Sequence, residues 1–85
     1  MSYEVYWSPD ILAQLQRIHD GALDQEGLRN TVTRIELELR KIPHDAGESR
    51  DRGRRVLFKF PLLVWYRIDE RLRQVIITDV RPFGI

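Results

Sequence analysis

The chain has 85 residues, of which 42% are hydrophobic and 32% charged, with a net charge of +1. The length predicts one domain spanning residues 1–85, and the composition is typical of a folded globular protein rather than a disordered one. Because the chain has no cysteine, disulfide crosslinks and thiolate metal sites are excluded. The net charge does not by itself indicate a polyanionic partner.

The N-terminal sequence MSYEVYWSPD has neither the basic nor the apolar segment of a secretory signal. No uncharged stretch approaches the ~20 residues of a membrane-spanning helix. We therefore expect a cytoplasmic protein that does not enter the membrane, and the lack of cysteine agrees with a reducing compartment.

A short strand followed by a capped helix is predicted at the start of the chain. The stretch YEVYWS alternates aromatic side chains with other residues, which is typical of a strand. Ser8 is the predicted N-cap of the helix, Pro9 its first residue, and Asp10 an acid near the positive end of the helix dipole. Gly21 ends the helix near residue 20. Apolar residues recur along it at helical spacing: Ile11, Leu15, Ile18 and Ala22.

A second helix follows after a few residues. Asp24 is its predicted N-cap, and Pro43 ends it because proline disfavours a helical conformation in the residue before it. The helix carries a stripe of apolar residues, which could also form a coiled coil. Two heptads are too few to predict a coiled coil, so we expect the stripe to pack on a sheet. The short link predicts an antiparallel helical hairpin. The stripe consists of Leu28, Val32, Ile35, Leu39 and Ile42.

Three strands are predicted after a polar loop, PHDAGESRDRG. They span residues 54–60, 62–68 and 74–80. Pro61 lies between the first two, where it predicts a tight bend or a bulge. The order β-α-α-β-β-β predicts an α+β fold, in which the helical hairpin packs on one face of a small, mainly antiparallel sheet.

Alternation assigns each strand side chain to one of two faces. We expect an apolar set to form the core with the helices: Val56, Phe58, Phe60, Leu62, Val64, Tyr66 and Ile68. The opposite face would then mix cations with apolar residues: Arg55, Lys59, Arg67, Leu57, Leu63 and Trp65.

Charge is unevenly distributed along the chain. Residues 1–42 carry five Lys and Arg against seven Asp and Glu, whereas residues 43–85 carry nine against six. Eight of the nine cations in the second half are arginines, which suit bidentate contacts with phosphate or carboxylate groups. The alternative is that these arginines are ordinary hydrated side chains at the edges of the strands and bind no partner.

The element order and several local stretches resemble the RelE/ParE superfamily, the toxins of type II toxin–antitoxin pairs. YEVYWSPD resembles that family's opening strand and capped helix, and IPHDAGESRDRGRRVLF resembles its loop and second strand. LLVWYRID and RQVIITDVR resemble its third and fourth strands, with Tyr66, Arg67 and Asp69 in the family's Y-R-hydrophobic-D pattern. The resemblance spans nearly the whole chain.

The resemblance implies a cognate antitoxin, no cofactor and one of two activities. RelE-like members cleave mRNA on the ribosome without a metal, and ParE-like members inhibit DNA gyrase. We first expect a ribosome-dependent mRNA endoribonuclease that inhibits translation. The alternative is a non-catalytic gyrase inhibitor, or a degenerate toxin that only binds its antitoxin.

The resemblance also implies the residues that do this work. Arg55, Lys59 and Arg81 are the expected catalytic cations, which would hold phosphates and stabilise the charge that develops during cleavage. The residues expected to bind the substrate or the antitoxin are Arg54, Leu57, Trp65 and Arg67.

Two positions depart from the family's ribonucleases. Leu63 stands where they often carry an arginine, and the sequence PFGI after Arg81 lacks the tyrosine or histidine that they tend to have there. Both departures favour the non-catalytic alternative.

Two other residue types leave open alternatives. His44 is a candidate for proton transfer, a common role of histidine, or else a solvated loop residue, and neither histidine has the spacing of a metal ligand. Trp65 is a candidate surface for stacking on a base, or else a side chain that an antitoxin segment covers.

Overall fold

A five-stranded mixed sheet and three helices form the fold in the computed structural model, which describes residues 2–83. In chain order the elements are β1 (Glu4–Trp7), α1 (Pro9–Asp20), α2 (Gln25–Lys41), α3 (Pro43–Ala46), β2 (Glu48–Ser49), β3 (Arg55–Lys59), β4 (Leu62–Asp69) and β5 (Gln74–Pro82). A 3-10 turn, Asp51–Gly53, connects β2 to β3. The predicted α+β class is confirmed.

The order of the strands across the sheet is β1-β5-β4-β3-β2. β1 pairs with β5 in parallel, and the other three pairs are antiparallel, so the sheet is mainly antiparallel as predicted. β1 pairs only with Gln74–Ile77, which leaves the second half of β5 without a strand on that side.

Side-chain caps start both long helices where the sequence predicts them. The Ser8 hydroxyl accepts a hydrogen bond from the Ile11 backbone N–H at 3.3 Å, and the Asp24 carboxylate accepts one from the Gly27 N–H at 2.9 Å. These acceptors satisfy backbone groups that have no partner in the first turn of a helix.

The core lies between the sheet and the two long helices. Ile35 and Leu39 of α2 are fully buried and Leu28 is nearly so. The prediction for Ile42 was wrong: it is 47% exposed, because α2 ends at Lys41 and Ile42 is its C-cap. The sheet contributes to the core Leu57, Leu62, Val64, Tyr66, Val75, Ile77 and Val80.

The turn between β3 and β4 reverses the predicted faces of β3. Two residues, Phe60 and Pro61, form this turn, so Lys59 lies directly opposite Leu62. Residues directly opposite each other in an antiparallel pair project to the same face, and Leu62 is fully buried against the helices. The sequence prediction placed Phe60 on the face of Leu62, and such a shift of one residue moves every side chain of the strand to the other face.

This register corrects several predictions at once. Leu57 lies in the core at 4% exposure, whereas Phe58 and Phe60 are 46% and 66% exposed instead of buried. Arg55 and Lys59 project toward the helices rather than to the uncovered face. The alternation predicted for β4 is confirmed.

A bulge in β5 changes its alternation. Trp65 pairs with Asp79 but Tyr66 pairs with Ile77, so Thr78 is an extra residue on β5. The bulge brings both Ile77 and Val80 into the core although they are three positions apart, an odd spacing that regular alternation would place on opposite faces.

The segment predicted as a loop contains short ordered elements. Pro43 begins the single turn of α3, and Glu48 and Ser49 pair with Val56 and Arg55 as the edge strand β2. Among residues 2–83, no helix is both long enough and apolar enough to cross a membrane.

Candidate partner-binding face

The helices leave one face of the sheet uncovered, and we call it the open face. Cross-strand pairs define it, because Leu63 lies opposite Phe58 and Arg81, and Arg67 lies opposite Ile76. The open face consists of Tyr6, Phe58, Leu63, Trp65, Arg67, Ile76 and Arg81, with Arg54 just before β3. Val56 projects to the same side of the sheet but is buried, as predicted, at 2% exposure. Four of the seven predicted site residues therefore lie on or beside it: Arg54, Trp65, Arg67 and Arg81.

Arg54 and Trp65 form a stacked pair. The Arg54 guanidinium lies 5.2 Å from the centre of the Trp65 ring, within the range of a cation–π interaction. Its Nη2 is 3.4 Å from Asp51 Oδ1, and both side chains are largely exposed. The pair presents a flat, cationic surface to solvent.

Arg67 and Arg81 are held in different ways. Arg67 Nη1 donates to the backbone carbonyl of Arg52 at 3.2 Å. Arg81 Nε donates to Asp79 Oδ2 at 2.8 Å, while its side chain is 67% exposed. Since a guanidinium has five N–H donors and Arg81 makes this contact through Nε, both of its terminal amino groups are without a partner among residues 2–83.

Asp79 is fixed from the helix side by Gln14. The Gln14 amide donates to Asp79 Oδ1 at 2.9 Å and to the Val80 carbonyl at 2.6 Å. Burial alone would raise the pKa of Asp79, but the hydrogen bonds from Gln14 and Arg81 outweigh it, so this pKa lies below its ordinary value. A charged Asp79 therefore holds Arg81 in place.

Exposed aromatic side chains adjoin these cations. The Phe58 and Phe83 rings meet edge to face with centroids 4.9 Å apart. Phe60, in the turn between β3 and β4, is 66% exposed. Arginines beside exposed aromatic rings suit either a nucleic acid, through phosphate contacts and base stacking, or a protein segment with acidic and apolar residues.

Arg55, a predicted catalytic cation, instead fastens α3 to the sheet. Its Nη2 donates to the backbone carbonyls of His44 and Gly47, and its Nε lies 3.4 Å from the Tyr66 hydroxyl. The buried Tyr66 hydroxyl donates to the Pro43 carbonyl at 2.7 Å. These contacts occupy Nε and Nη2 of Arg55 within the protein.

Lys59 and Leu57 are also removed from the open face. Lys59 Nζ lies 2.9 Å from Glu38 Oε1 of α2, with both side chains about one-third exposed. Leu57 is a core residue. The face assignment behind the predicted roles of these two residues and of Arg55 was wrong.

A second cluster of polar side chains lies where α3 meets the turn between β4 and β5. His44 Nε2 is 2.6 Å from Glu70 Oε1, and the Tyr3 hydroxyl donates to the same oxygen. The Arg73 guanidinium lies 4.2 Å from the centre of the Tyr3 ring and 3.8 Å from Glu70 Oε2. His44 is the one member of this cluster that the sequence indicated as a candidate. No local pattern connects Tyr3 to Glu70 and Arg73, which follow it by 67 and 70 positions.

Hydrogen bonds within the cluster shift the pKa values of Glu70 and Tyr3 in opposite directions. The hydrogen bond from Tyr3, followed by that from His44, lowers the pKa of Glu70 below its ordinary value. The same bond to Glu70 raises the pKa of Tyr3, because it stabilises the protonated hydroxyl. Glu70 is therefore charged and Tyr3 neutral at pH 7.

Neither histidine projects from a strand of the sheet: His19 lies in α1 and His44 in α3. Among residues 2–83, no three His, Cys, Asp or Glu side chains converge as metal ligands. The open face can bind anions and flat rings, and its strands carry no histidine for proton transfer.

A known structure shares this arrangement over almost its full length. No protein-family model matches the sequence, and no curated protein matches it either. Among solved structures, a chain of the toxin–antitoxin complex RelBE2 from Mycobacterium tuberculosis superimposes with a TM-score of 0.79 and 21% sequence identity, covering 96% of this chain and 99% of that one. The fold is RelE-like. The resemblance drawn from the sequence is thus confirmed for the fold.

Proposed function

We propose that the protein is the toxin of a type II toxin–antitoxin pair, and that it acts as an mRNA endoribonuclease that inhibits translation. The observation that carries this proposal is the RelE-like fold, shared with a chain of a toxin–antitoxin complex, combined with an arginine-rich open face. The antitoxin and the RNA would use the same face, so that antitoxin binding blocks the toxin.

The open face supports the proposal through its chemistry. Arg67 and Arg81 provide guanidinium groups for phosphates, and the Arg54–Trp65 pair provides a surface for stacking an unpaired base. Single-stranded RNA is recognised in proteins by this combination of cations and stacking rings. An acidic antitoxin segment would satisfy the same arginines with carboxylates.

Inducible expression with mapping of mRNA 5′-ends tests the proposal. We expect the wild type to stop growth and to create new ends, and Arg81→Ala to abolish both while leaving the fold intact. Loss of one donor to a developing negative charge commonly raises the barrier by ~2.7–4 kcal/mol. Arg34→Ala, at an exposed position on α2, is the matched control and should behave as the wild type.

A second candidate function is inhibition of DNA gyrase without catalysis. It is favoured by Leu63, an apolar residue between Phe58 and Arg81 on the open face, and by the absence of a histidine from the strands. Growth arrest without new mRNA ends would contradict the endoribonuclease. A supercoiling assay with purified gyrase then decides between gyrase inhibition and a toxin that only binds its antitoxin.

A further inference from the structure

We propose that Gln14 and Asp79 are positioning residues, which hold the Arg81 guanidinium in the direction from which it meets a phosphate of single-stranded RNA. Neither residue contacts the substrate itself. This inference rests on the proposed endoribonuclease function, and it gives helix α1 a part in the site on the open face.

The bulge in β5 is what turns Arg81 to the open face. Ile77 lies in the core, and regular alternation would place Arg81, four positions later, on the same covered face. Because Thr78 is an extra residue, Val80 takes the core position and Arg81 projects from the open face. Asp79 precedes Arg81 by two positions and therefore projects to the same side of the sheet.

Both oxygens of the Asp79 carboxylate accept hydrogen bonds. Oδ2 accepts from Arg81 Nε at 2.8 Å. Oδ1 accepts from the Gln14 amide and from the Val80 backbone N–H, each at 2.9 Å. A carboxylate that three donors hold has little freedom to rotate, so its direction sets the direction of the Arg81 side chain.

Gln14 reaches Asp79 around an edge of the sheet that β1 does not cover. β1 pairs with β5 only as far as Ile77, so among residues 2–83 no strand lies beside Asp79 on that side. The Gln14 amide lies there instead and also donates to the Val80 carbonyl at 2.6 Å. Hydrogen bonds therefore connect α1 through Gln14 and Asp79 to Arg81.

This support leaves the phosphate-binding end of Arg81 accessible. A guanidinium is planar, so a contact that fixes Nε also fixes the plane of the two terminal amino groups. A donor that is already ordered loses less conformational entropy when a phosphate binds. An acid beside a phosphate site is unfavourable for the attraction of RNA, and its contribution to the site is therefore the orientation of Arg81.

A second pair of an arginine and an acid on this side of the sheet lacks such support. Arg54 Nη2 lies 3.4 Å from Asp51, whose side chain is 78% exposed. Asp79 is only 29% exposed and lies 2.8 Å from Arg81. Arg81 is thus held by a carboxylate that is itself held, whereas the acid beside Arg54 is largely hydrated.

The test compares Gln14→Ala with Gln16→Ala. Gln16 is exposed on the same helix and donates to Asp20 at 2.8 Å, so its loss removes a similar hydrogen bond that does not lead to Arg81. NMR of the Arg81 Nε–H group measures its exchange with water. Exchange should be several-fold faster in Gln14→Ala and in Asp79→Asn, since asparagine has one oxygen and cannot accept from both neighbours. It should be unchanged in Gln16→Ala.

Cleavage is measured in a translation extract programmed with one mRNA. A displacement of about 1 Å can cost about 100-fold in rate, so Gln14→Ala should lower kcat by about 10- to 100-fold, with KM within a few-fold of the wild type. Gln16→Ala should cleave as the wild type does. A merely structural role of Gln14 would lower the amount of folded toxin and leave kcat per folded molecule unchanged.

Unchanged exchange of the Arg81 Nε–H in Gln14→Ala, or wild-type kcat in that variant, would overturn this inference and leave the endoribonuclease function standing. A wild type that cleaves no mRNA would remove the proposed function. The exchange measurement would then still decide whether Gln14 and Asp79 hold Arg81, because it does not depend on cleavage.

Discussion

Arg54 and Arg55 are neighbours in the chain but belong to opposite faces of the sheet, and the two faces use the same side chain differently. Arg55 faces the helices, where two backbone carbonyls and the Tyr66 hydroxyl lie within reach of its donors. Arg54 lies over Trp65 on the open face, and its guanidinium remains accessible beside Asp51. A cation on the covered face stabilises the fold, whereas one on the open face is available to a partner.

The same contrast holds for Lys59 and Arg81. Lys59 pairs with Glu38 of α2, so its charge is neutralised inside the protein. In the described part of the chain Arg81 also pairs with an acid, but through Nε and with two-thirds of its side chain exposed. The face, rather than the residue type, therefore decides which arginines and lysines are candidates for function.

Substitution in the helical stripe should have the largest effect on stability, because the stripe covers the sheet. Ile35 is fully buried in the core, so Ile35→Ala should lower the free energy of unfolding by about 2–5 kcal/mol. Leu37→Ala, on the exposed side of the same helix, should change it by less than about 0.5 kcal/mol. Chemical denaturation measures both values, and similar losses would show that the stripe does not face the sheet.

Arg54 and Arg55, at the start of β3, give the second prediction. Arg55→Ala leaves three oxygen atoms without their donor and should cost about 1–3 kcal/mol of unfolding free energy. Arg54→Ala removes only exposed contacts and should cost less than about 1 kcal/mol. Equal losses in the two variants would contradict the assignment of the two faces.

The fold was largely predictable because its helices and strands carry local patterns. Caps at Ser8 and Asp24 and stripes of apolar residues do not depend on distant contacts, and the structure confirms them. The face of β3 was not predictable from alternation, because both sets of side chains contain apolar residues. The two-residue turn at Phe60 and Pro61 decides the face, and only the pairing of Lys59 with Leu62 reveals it.

The candidate site was predictable only in part for the same reason. Trp65 and Arg67 lie on the face predicted for them, because the alternation of β4 follows from core residues such as Leu62. Arg81, for which the sequence predicted no face, lies on the same face opposite Leu63. The cluster around Glu70 brings together the start, the middle and the last third of the chain. No local pattern indicates such a contact, so it required the structure.

A third prediction concerns the partner of the open face. The double variant Trp65→Ala, Arg67→Ala should weaken binding of the antitoxin, because a tryptophan and an arginine at the centre of an interface commonly cost about 2 kcal/mol or more when truncated. The melting temperature should change little, since neither side chain lies in the core cluster. Titration calorimetry against the antitoxin measures the effect, with the double variant Arg17→Ala, Arg34→Ala as the control for lost charge on α1 and α2. Wild-type affinity in the open-face variant would exclude this face as the antitoxin site.

The smallest effect is expected in the titration of Glu70, and it tests whether the Tyr3 hydrogen bond exists in solution. Tyr3→Phe removes the largest cause of the lowered pKa of Glu70, so this pKa should rise toward its ordinary value. Because the folded state holds the pKa of Glu70 low, the stabilisation from this carboxylate is present above the pKa of the unfolded chain and is lost as pH falls through the lower, folded pKa. In Tyr3→Phe that loss should therefore be smaller and should be complete at a higher pH.

Carbon-13 NMR of the Glu70 carboxyl group measures this pKa directly. Tyr6→Phe is the matched control, because Tyr6 lies on the open face and is 46% exposed. It should leave the titration of Glu70 unchanged. An unshifted pKa in Tyr3→Phe would mean that His44 and Arg73 alone set the charge of Glu70, and the oxygen that orients the imidazole would then have one donor rather than two.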